Sequence, residues 1–328
     1  MKQKYTIGVV GAGAWGTALA MAFSRAQCEV TLWSLNSGLV EAIETRHENT
    51  FRLPGISLNP LIKATTDFQD LKPLDVLVLA TPAQKLREFL ENYSADISNS
   101  TPLVLTSKGI ELGSGKLLTE IIPEYLPQNP IAILSGPSFA MDVAKKLPTA
   151  VTLATTHLEW GQALTHAFSS QYFRPYYSAD MIGAQMGGAL KNVLAIASGI
   201  LQGKGFGENA RAALITRGLV EIQRLGVTLG ANPETFYGLS GVGDLMLSCY
   251  SEQSRNMSLG IQLGHGKVLS NEESPLTEGV YTAASLMILA KKHQVEMPIC
   301  EAVDHIVNHN GNIETTIERL LSRPLKAE

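Results

Sequence analysis

Lys191 sits in the middle of an apolar run, Met181–Leu201, where Ala184, Gly187, Gly188, Leu194 and Ala195 share its face at helical spacing. A lysine is almost never fully buried without cause. Either it snorkels to the surface or it lines a cleft, where desolvation and neighbouring cations lower its pKa until it exchanges protons near neutral pH. The small neighbours would leave room for a ligand. Gly241-Val242-Gly243-Asp244 reads as a flexible turn whose carboxylate orients a lysine ammonium, and Ser254-Arg255-Asn256 follows on the next helical stretch. The Arg255 guanidinium matches a phosphate through two parallel hydrogen bonds. An isolated Asp or Arg also serves as a helix cap or in a surface ion pair.

A second group of residues suits a nucleotide. Gly11-Ala12-Gly13-Ala14-Trp15-Gly16 follows a strand pattern, Tyr5–Val10, and opens a helical run, Thr17–Ala26. In that setting Gly11 makes the tight turn, Gly13 lets the backbone approach a pyrophosphate, and Gly16 lets the helix pack close to the strand. The helix start supplies free N–H groups to the phosphates. At the end of the second strand, Ser34-Leu35-Asn36 carries neither the carboxylate that takes the ribose hydroxyls of NAD nor an arginine for a 2′-phosphate, although Arg46 on the following helix is a candidate to reach one. NAD and NADP both stay open, with a slight lean to NADPH. Thr81-Pro82-Ala83 and Lys108 follow the third and fourth strand patterns and belong at the crevice where ligands bind. Ser135-Gly136-Pro137-Ser138-Phe139-Ala140 offers small residues and N–H groups at a helix start, the makings of an anion or hydroxyl site.

The elements that must position these residues divide the chain in two. Tyr5–Val10, Val30–Trp33, Asp75–Ala80, Pro102–Ser107, Ile131–Leu134 and Ala150–Ala154 read as strands separated by helical stretches. Continuous apolar strands spaced by helices predict a doubly wound parallel sheet buried on both faces. From about Ala179 helices take over: Ala179–Leu201, Glu208–Leu229, Gln253–Leu263, Glu278–His293 and Ile299–Asn308. The expected division is a dinucleotide-binding domain over 1–178 and a helical substrate and catalytic domain over 179–328. The charged side chains, 26 basic and 30 acidic in 328 residues, give −4 and argue against a general nucleic-acid grip. Cys28, Cys249 and Cys300 are far apart, and neither they nor the seven histidines fall at metal-ligand spacing, which points to a reducing cytoplasm and no structural metal. Lys2 and Lys4 before an apolar stretch sketch a signal peptide, but the glycines at 8, 11, 13 and 16 break it. Met181–Leu201 is apolar enough to weigh as a membrane span, yet Gln185, Lys191 and Asn192 favour a helix through a soluble core.

With these residues in view, the chain resembles bacterial NAD(P)-dependent glycerol-3-phosphate dehydrogenases over essentially its full length. The likeness rests on GAGAWGTALA at 11–20, SKGIE at 107–111, SGPSFA at 135–140, GGALKNVLAIASGI at 187–200, LSGVGDLMLSC at 239–249, SRN at 254–256 and TEGV at 277–280. It implies reversible hydride transfer between NAD(P)H and dihydroxyacetone phosphate, giving glycerol 3-phosphate for phospholipid synthesis, while the apolar helical half points to self-association, as a homodimer, of a cytoplasmic protein. By the same resemblance Lys191 is the general acid/base, Lys108 contacts substrate and cofactor, and Asp244 holds the lysines and a substrate hydroxyl. Gly136 and Ser138 contact substrate, while Ser254, Arg255 and Asn256 take its phosphate end. Ala14, Trp15, Leu35, Ala140, Leu276 and Glu278 resemble cofactor contacts, with Arg255 shared. Ala14 stands where many relatives have serine, and Leu35 where they often have a basic residue. Two other readings of the same pattern are a β-hydroxyacid dehydrogenase of similar architecture and a non-catalytic NAD(P)H sensor.

Overall fold

The computed structural model describes residues 4–267 and 277–324. Eight strands form one sheet among the described residues: β1 Thr6–Val10, β2 Glu29–Trp33, β3 Lys63–Thr65, β4 Val76–Leu79, β5 Leu103–Leu105, β6 Ile131–Ser135, β7 Thr149–Ala154 and β8 Phe173–Ser178. Their order is β3-β2-β1-β4-β5-β6-β7-β8, so the chain starts at β1, winds outward to β3 and resumes at β4 on the other side of β1. That reversal is the switch point at which doubly wound folds open a crevice. Both faces are buried, and alternate residues of one strand enter opposite cores. Val76 and Val78 lie in one core with Ile7, Val9, Val104 and Leu134, while Leu77 and Leu79 lie in the other with Val10, Leu105 and Ile133. This double burial is why the strands read as continuous apolar runs.

The sheet is not parallel throughout, as the sequence pattern suggested. β6 and β7 pair antiparallel, while β7 and β8 return to parallel. A parallel return needs a crossover about as long as the strand, usually a helix. Between β6 and β7 the chain offers only the five-residue helix Ala140–Ala144, so it re-enters the sheet from the end it left. The two strands absent from the sequence reading are the edges. β3 has three residues, and β8 carries Pro175, which lacks a ladder donor and is tolerated on an edge strand.

Contacts divide the chain into two compact units. One comprises residues 1–108 and 118–184, the other 109–117 and 185–328. The second is helical: Met181–Gly203 runs into it and is followed by Glu208–Thr228, Asp244–Tyr250, Arg255–Gly264, Glu278–Lys292, Pro298–His309 and Ile313–Leu321. Asp244–Tyr250 and Ile313–Leu321 were not foreseen. Among the described residues no helix is long and apolar enough to cross a membrane. Met181–Gly203 and Arg255–Gly264 cross in backbone contact, since a Cβ on Gly199 would lie 2.2 Å from the Met257 carbonyl oxygen and one on Gly260 would lie 2.2 Å from that of Ile196. The closeness of this crossing brings the residues after Lys191 next to those after Arg255.

Candidate active site

In the sheet-bearing unit, the turn after β1 is built by three glycines with distinct duties. Gly11 has φ +106°, and a Cβ there would stand 2.9 Å from the Ala80 carbonyl oxygen, so the β4 end packs directly on the turn. Gly16 is tighter still, its Cβ falling 1.9 Å from the Gly11 carbonyl oxygen, which forces the helix Ala14–Arg25 against the strand end. Gly13 has no atom of the described residues within 4 Å of its Cβ position. No side chain caps the helix start at Gly13, leaving the first N–H groups available. The Trp15 indole Nε1 is buried without a hydrogen-bond partner among the described residues. An open, uncapped helix start beside an unpaired donor fits a dinucleotide pyrophosphate.

Around this turn the other crevice loops are joined by hydrogen bonds. Lys108 Nζ donates to the Gly136 carbonyl at 3.1 Å, and the Ser138 hydroxyl donates to the same oxygen at 2.9 Å. A carbonyl has two lone pairs and accepts both; Gly136 itself has φ +145°, which L side chains rarely adopt, and a Cβ there would press on Val151 at 3.0 Å. The Ser107 hydroxyl donates to the Thr81 carbonyl, linking the loops after β5 and β4. Ala140 opens the short helix after β6. Beyond β2, Leu35 is 75% exposed and Asn36 caps the helix Ser37–Arg46 by accepting from the Leu39 N–H at 3.0 Å. Arg46 lies in the last turn of that helix, paired with Glu48 at 2.9 Å. Roughly 14 Å of helix axis separates it from the β2 turn, so it is not the arginine of a 2′-phosphate site in that turn.

In the helical unit the Lys191 ammonium donates to Asp244 Oδ1. Lys191 is 8% exposed and Asp244 fully buried. The lysine therefore does not snorkel. Asp244 is the first residue of its helix, following a wide turn, Leu239–Gly243, that is broken at Gly241 (φ −98°, ψ −106°). The turn is packed, where the sequence suggested flexibility: Ser240 and Gly241 are buried, and a Cβ on Gly187 would strike the Ser240 carbonyl oxygen at 2.2 Å. Gly187 thus admits the turn that carries Asp244, one helical turn before Lys191, and does not make room for a ligand.

Ser254 caps the helix Arg255–Gly264, its hydroxyl accepting from the Met257 N–H at 3.3 Å, and Arg255 stands exposed at the first position. The Asn256 amide donates to Asn192 Oδ1 at 3.0 Å, and its carbonyl accepts from the Gly279 N–H at 3.0 Å. Each of these three partners is the next residue after a predicted site residue: Asn192 after Lys191, Asn256 after Arg255, Gly279 after Glu278. Leu276 lies outside the described residues. The sequence reading missed Arg211, which is buried and donates to the Cys249 carbonyl at 3.1 Å and to Glu208 at 2.9 Å, with its guanidinium 4.7 Å from the Tyr250 ring centre. It anchors the far end of the helix that begins at Asp244. Its only signal was a charged residue on a face of Glu208–Thr228 that also carries Ile215 and Gly218.

A doubly wound sheet with an open glycine turn after β1, joined to a helical unit holding a buried lysine–aspartate pair, is the architecture of a dinucleotide-dependent dehydrogenase. Comparison with known proteins sharpens the class. Residues 6–168 match the NAD-dependent glycerol-3-phosphate dehydrogenase N-terminus, and residues 180–318 match the corresponding C-terminus. The chain belongs to that family. It is 51% identical to glycerol-3-phosphate dehydrogenase [NAD(P)+] of Parvibaculum lavamentivorans and 51% identical to that of Caulobacter vibrioides, with 98% of each chain covered in both cases. A crystal structure of glycerol-3-phosphate dehydrogenase from Coxiella burnetii superimposes with TM-score 0.92 at 37% identity, covering 98% of this chain and 99% of the other. D-mandelate dehydrogenase, at TM-score 0.62 and 16% identity, shares the fold alone.

Proposed function

We propose that this chain catalyses reversible hydride transfer between NAD(P)H and dihydroxyacetone phosphate, giving sn-glycerol 3-phosphate for phospholipid synthesis. The observation that carries the reading is the buried contact of Lys191 with Asp244. When bound, the reduced nicotinamide supplies the hydride to the carbonyl carbon. Lys191 gives its Nζ proton to the carbonyl oxygen as that oxygen gains negative charge, and is reprotonated from solvent. Asp244 holds the ammonium in one orientation and receives a substrate hydroxyl. Lys108, fixed by the Gly136 carbonyl, adds positive charge at the developing alkoxide. Gly136 and Ser138 contact the substrate, and Ser254, Arg255 and Asn256 bind its phosphate, Arg255 through its guanidinium fork.

Gly11, Gly13, Ala14, Trp15 and Gly16 hold the pyrophosphate, with Leu35, Lys108, Ala140, Arg255, Leu276 and Glu278 as further cofactor contacts. A turn after β2 without a carboxylate accepts either dinucleotide and leans slightly to NADPH. Residues 1–178 form the dinucleotide-binding domain and 179–328 the substrate and catalytic domain. The protein acts as a cytoplasmic homodimer; its three free, buried cysteines suit a reducing compartment. The test is oxidation of NADH and of NADPH by the purified protein with dihydroxyacetone phosphate, and with unphosphorylated dihydroxyacetone as control. Turnover that requires the phosphate is expected, and turnover with neither cofactor would overturn the reading.

A further inference from the structure

We infer that Asn49 is a positioning residue for cofactor binding: it fixes the Ala12–Gly13 peptide so that the Gly13 N–H faces the open side of the glycine turn. This rests on the dinucleotide reading of that turn. Asn49 is fully buried, thirty-seven residues from Ala12 in sequence, and its amide nitrogen donates at 3.1 Å to the Ala12 carbonyl and at 2.9 Å to the Thr17 hydroxyl. Both amide protons are thereby used. The reverse orientation would set Oδ1 against the Ala12 carbonyl oxygen, acceptor against acceptor, and the hydrogen-bond pattern assigns the amide accordingly.

The consequence follows from peptide geometry. In a trans peptide the C=O of one residue and the N–H of the next point in opposite directions, and no peptide among the described residues is cis. Drawing the Ala12 carbonyl into the core therefore turns the Gly13 N–H outward. There it meets no protein acceptor among the described residues, and the Gly13 Cβ position has no atom within 4 Å. An outward carbonyl at the same place would present negative charge to a phosphate. Asn49 itself is held by its loop, since its backbone carbonyl accepts from the Leu53 N–H at 2.7 Å and from the Arg52 N–H at 3.1 Å, and Leu53 is buried.

The same loop makes a second, similar bond that provides the control: Asn59 donates to the Ser24 hydroxyl at 2.7 Å, at the far end of the helix Ala14–Arg25. Wild type, Asn49→Ala, Asn49→Asp and Asn59→Ala would be compared by NADH fluorescence titration and by thermal unfolding without cofactor. The expected result is a Kd for NADH raised about tenfold in Asn49→Ala and at least as much in Asn49→Asp, with Asn59→Ala within about twofold of wild type although its melting temperature also falls. The KM for dihydroxyacetone phosphate at saturating NADH should stay within about twofold in Asn49→Ala. Equal NADH affinity in wild type and Asn49→Ala, or equal losses in Asn49→Ala and Asn59→Ala, would overturn the inference and leave the cofactor reading standing. Should Asn49→Ala not fold, near-isosteric Asn49→Asp decides, and an unchanged Kd there overturns it. No NADH binding by the wild type would remove the cofactor reading and this inference together.

Discussion

Replacing Lys191 by arginine separates the two things a buried cation can do at this site. Arginine keeps the positive charge beside Asp244, so no carboxylate is left unpaired in the core. It stays protonated at any working pH, however, and cannot hand over its proton. Methionine, close in length, removes the charge as well. With Asp244 fully buried and Lys191 8% exposed, losing one partner of the pair costs about 3–5 kcal/mol of stability, a large part of the roughly 5–15 kcal/mol available to a domain. Lys191→Met should therefore melt well below wild type, and Lys191→Arg should lose only the about 1–3 kcal/mol expected of an enlarged side chain in a packed site. Catalysis should not follow the same order. If proton transfer from Nζ is the lysine's task, both variants lose about 10²–10⁴-fold in kcat, or roughly 2.7–5.5 kcal/mol at about 1.36 kcal/mol per decade. Single-turnover oxidation of bound NADH, with NADH affinity measured alongside to confirm a folded cofactor site, reads the difference directly. An arginine variant that keeps more than about a tenth of wild-type kcat would show that charge alone suffices and would refute the acid/base role.

Three further outcomes are expected. Arg255→Ala removes an exposed guanidinium from the start of its helix; a charge-assisted bond of about 1.5–3 kcal/mol predicts a KM for dihydroxyacetone phosphate raised on the order of 10–100-fold, and an unchanged KM places the phosphate elsewhere. Glu221 accepts the Ile299 N–H at 2.8 Å and the Cys300 N–H at 3.2 Å at the start of the helix Pro298–His309, and burial raises its carboxyl to about 7, outweighing those two bonds. Because the folded value lies above the unfolded one, its contribution to stability is full below about pH 4.5 and is lost as pH climbs through 7; melting temperatures between pH 5 and 8 should fall less steeply in Glu221→Gln, and parallel curves would contradict the assignment. Burial also raises the thiols, Cys28 to about 11, Cys249 to about 12 and Cys300 well above the ordinary range, so a thiol reagent at pH 8 should modify none of the three until the protein is unfolded.

What the sequence disclosed and what it withheld follow from the range over which each signal acts. The glycine turn was legible because its three constraints lie within six residues and concern backbone space, which residue type reports directly: Gly16 is excluded from bearing a Cβ by Gly11 itself. The strands at the centre of the sheet were legible because burial on both faces leaves them few polar positions, whereas the edge strand β8 alternates buried Phe173 with exposed Arg174 around a proline and reads as a loop. Lys191 declared itself by contrast with its neighbours. The positions that hold the site rigid did not, since Asn49, Asn192 and Asn256 act through partners 23 to 64 residues away and Arg211 reaches the Cys249 carbonyl 38 residues on, and a single asparagine carries no mark of which carbonyl it will meet. The antiparallel turn between β6 and β7 escaped for the same reason: its cause is a missing length of helix, and strand patterns alone carry no direction. Local sterics and burial are thus written into residue types, while orientation is written into pairs. It is the pairs, Asn49 with Ala12 and Lys191 with Asp244, that fix the direction of a peptide and of an ammonium, which no single residue type reports.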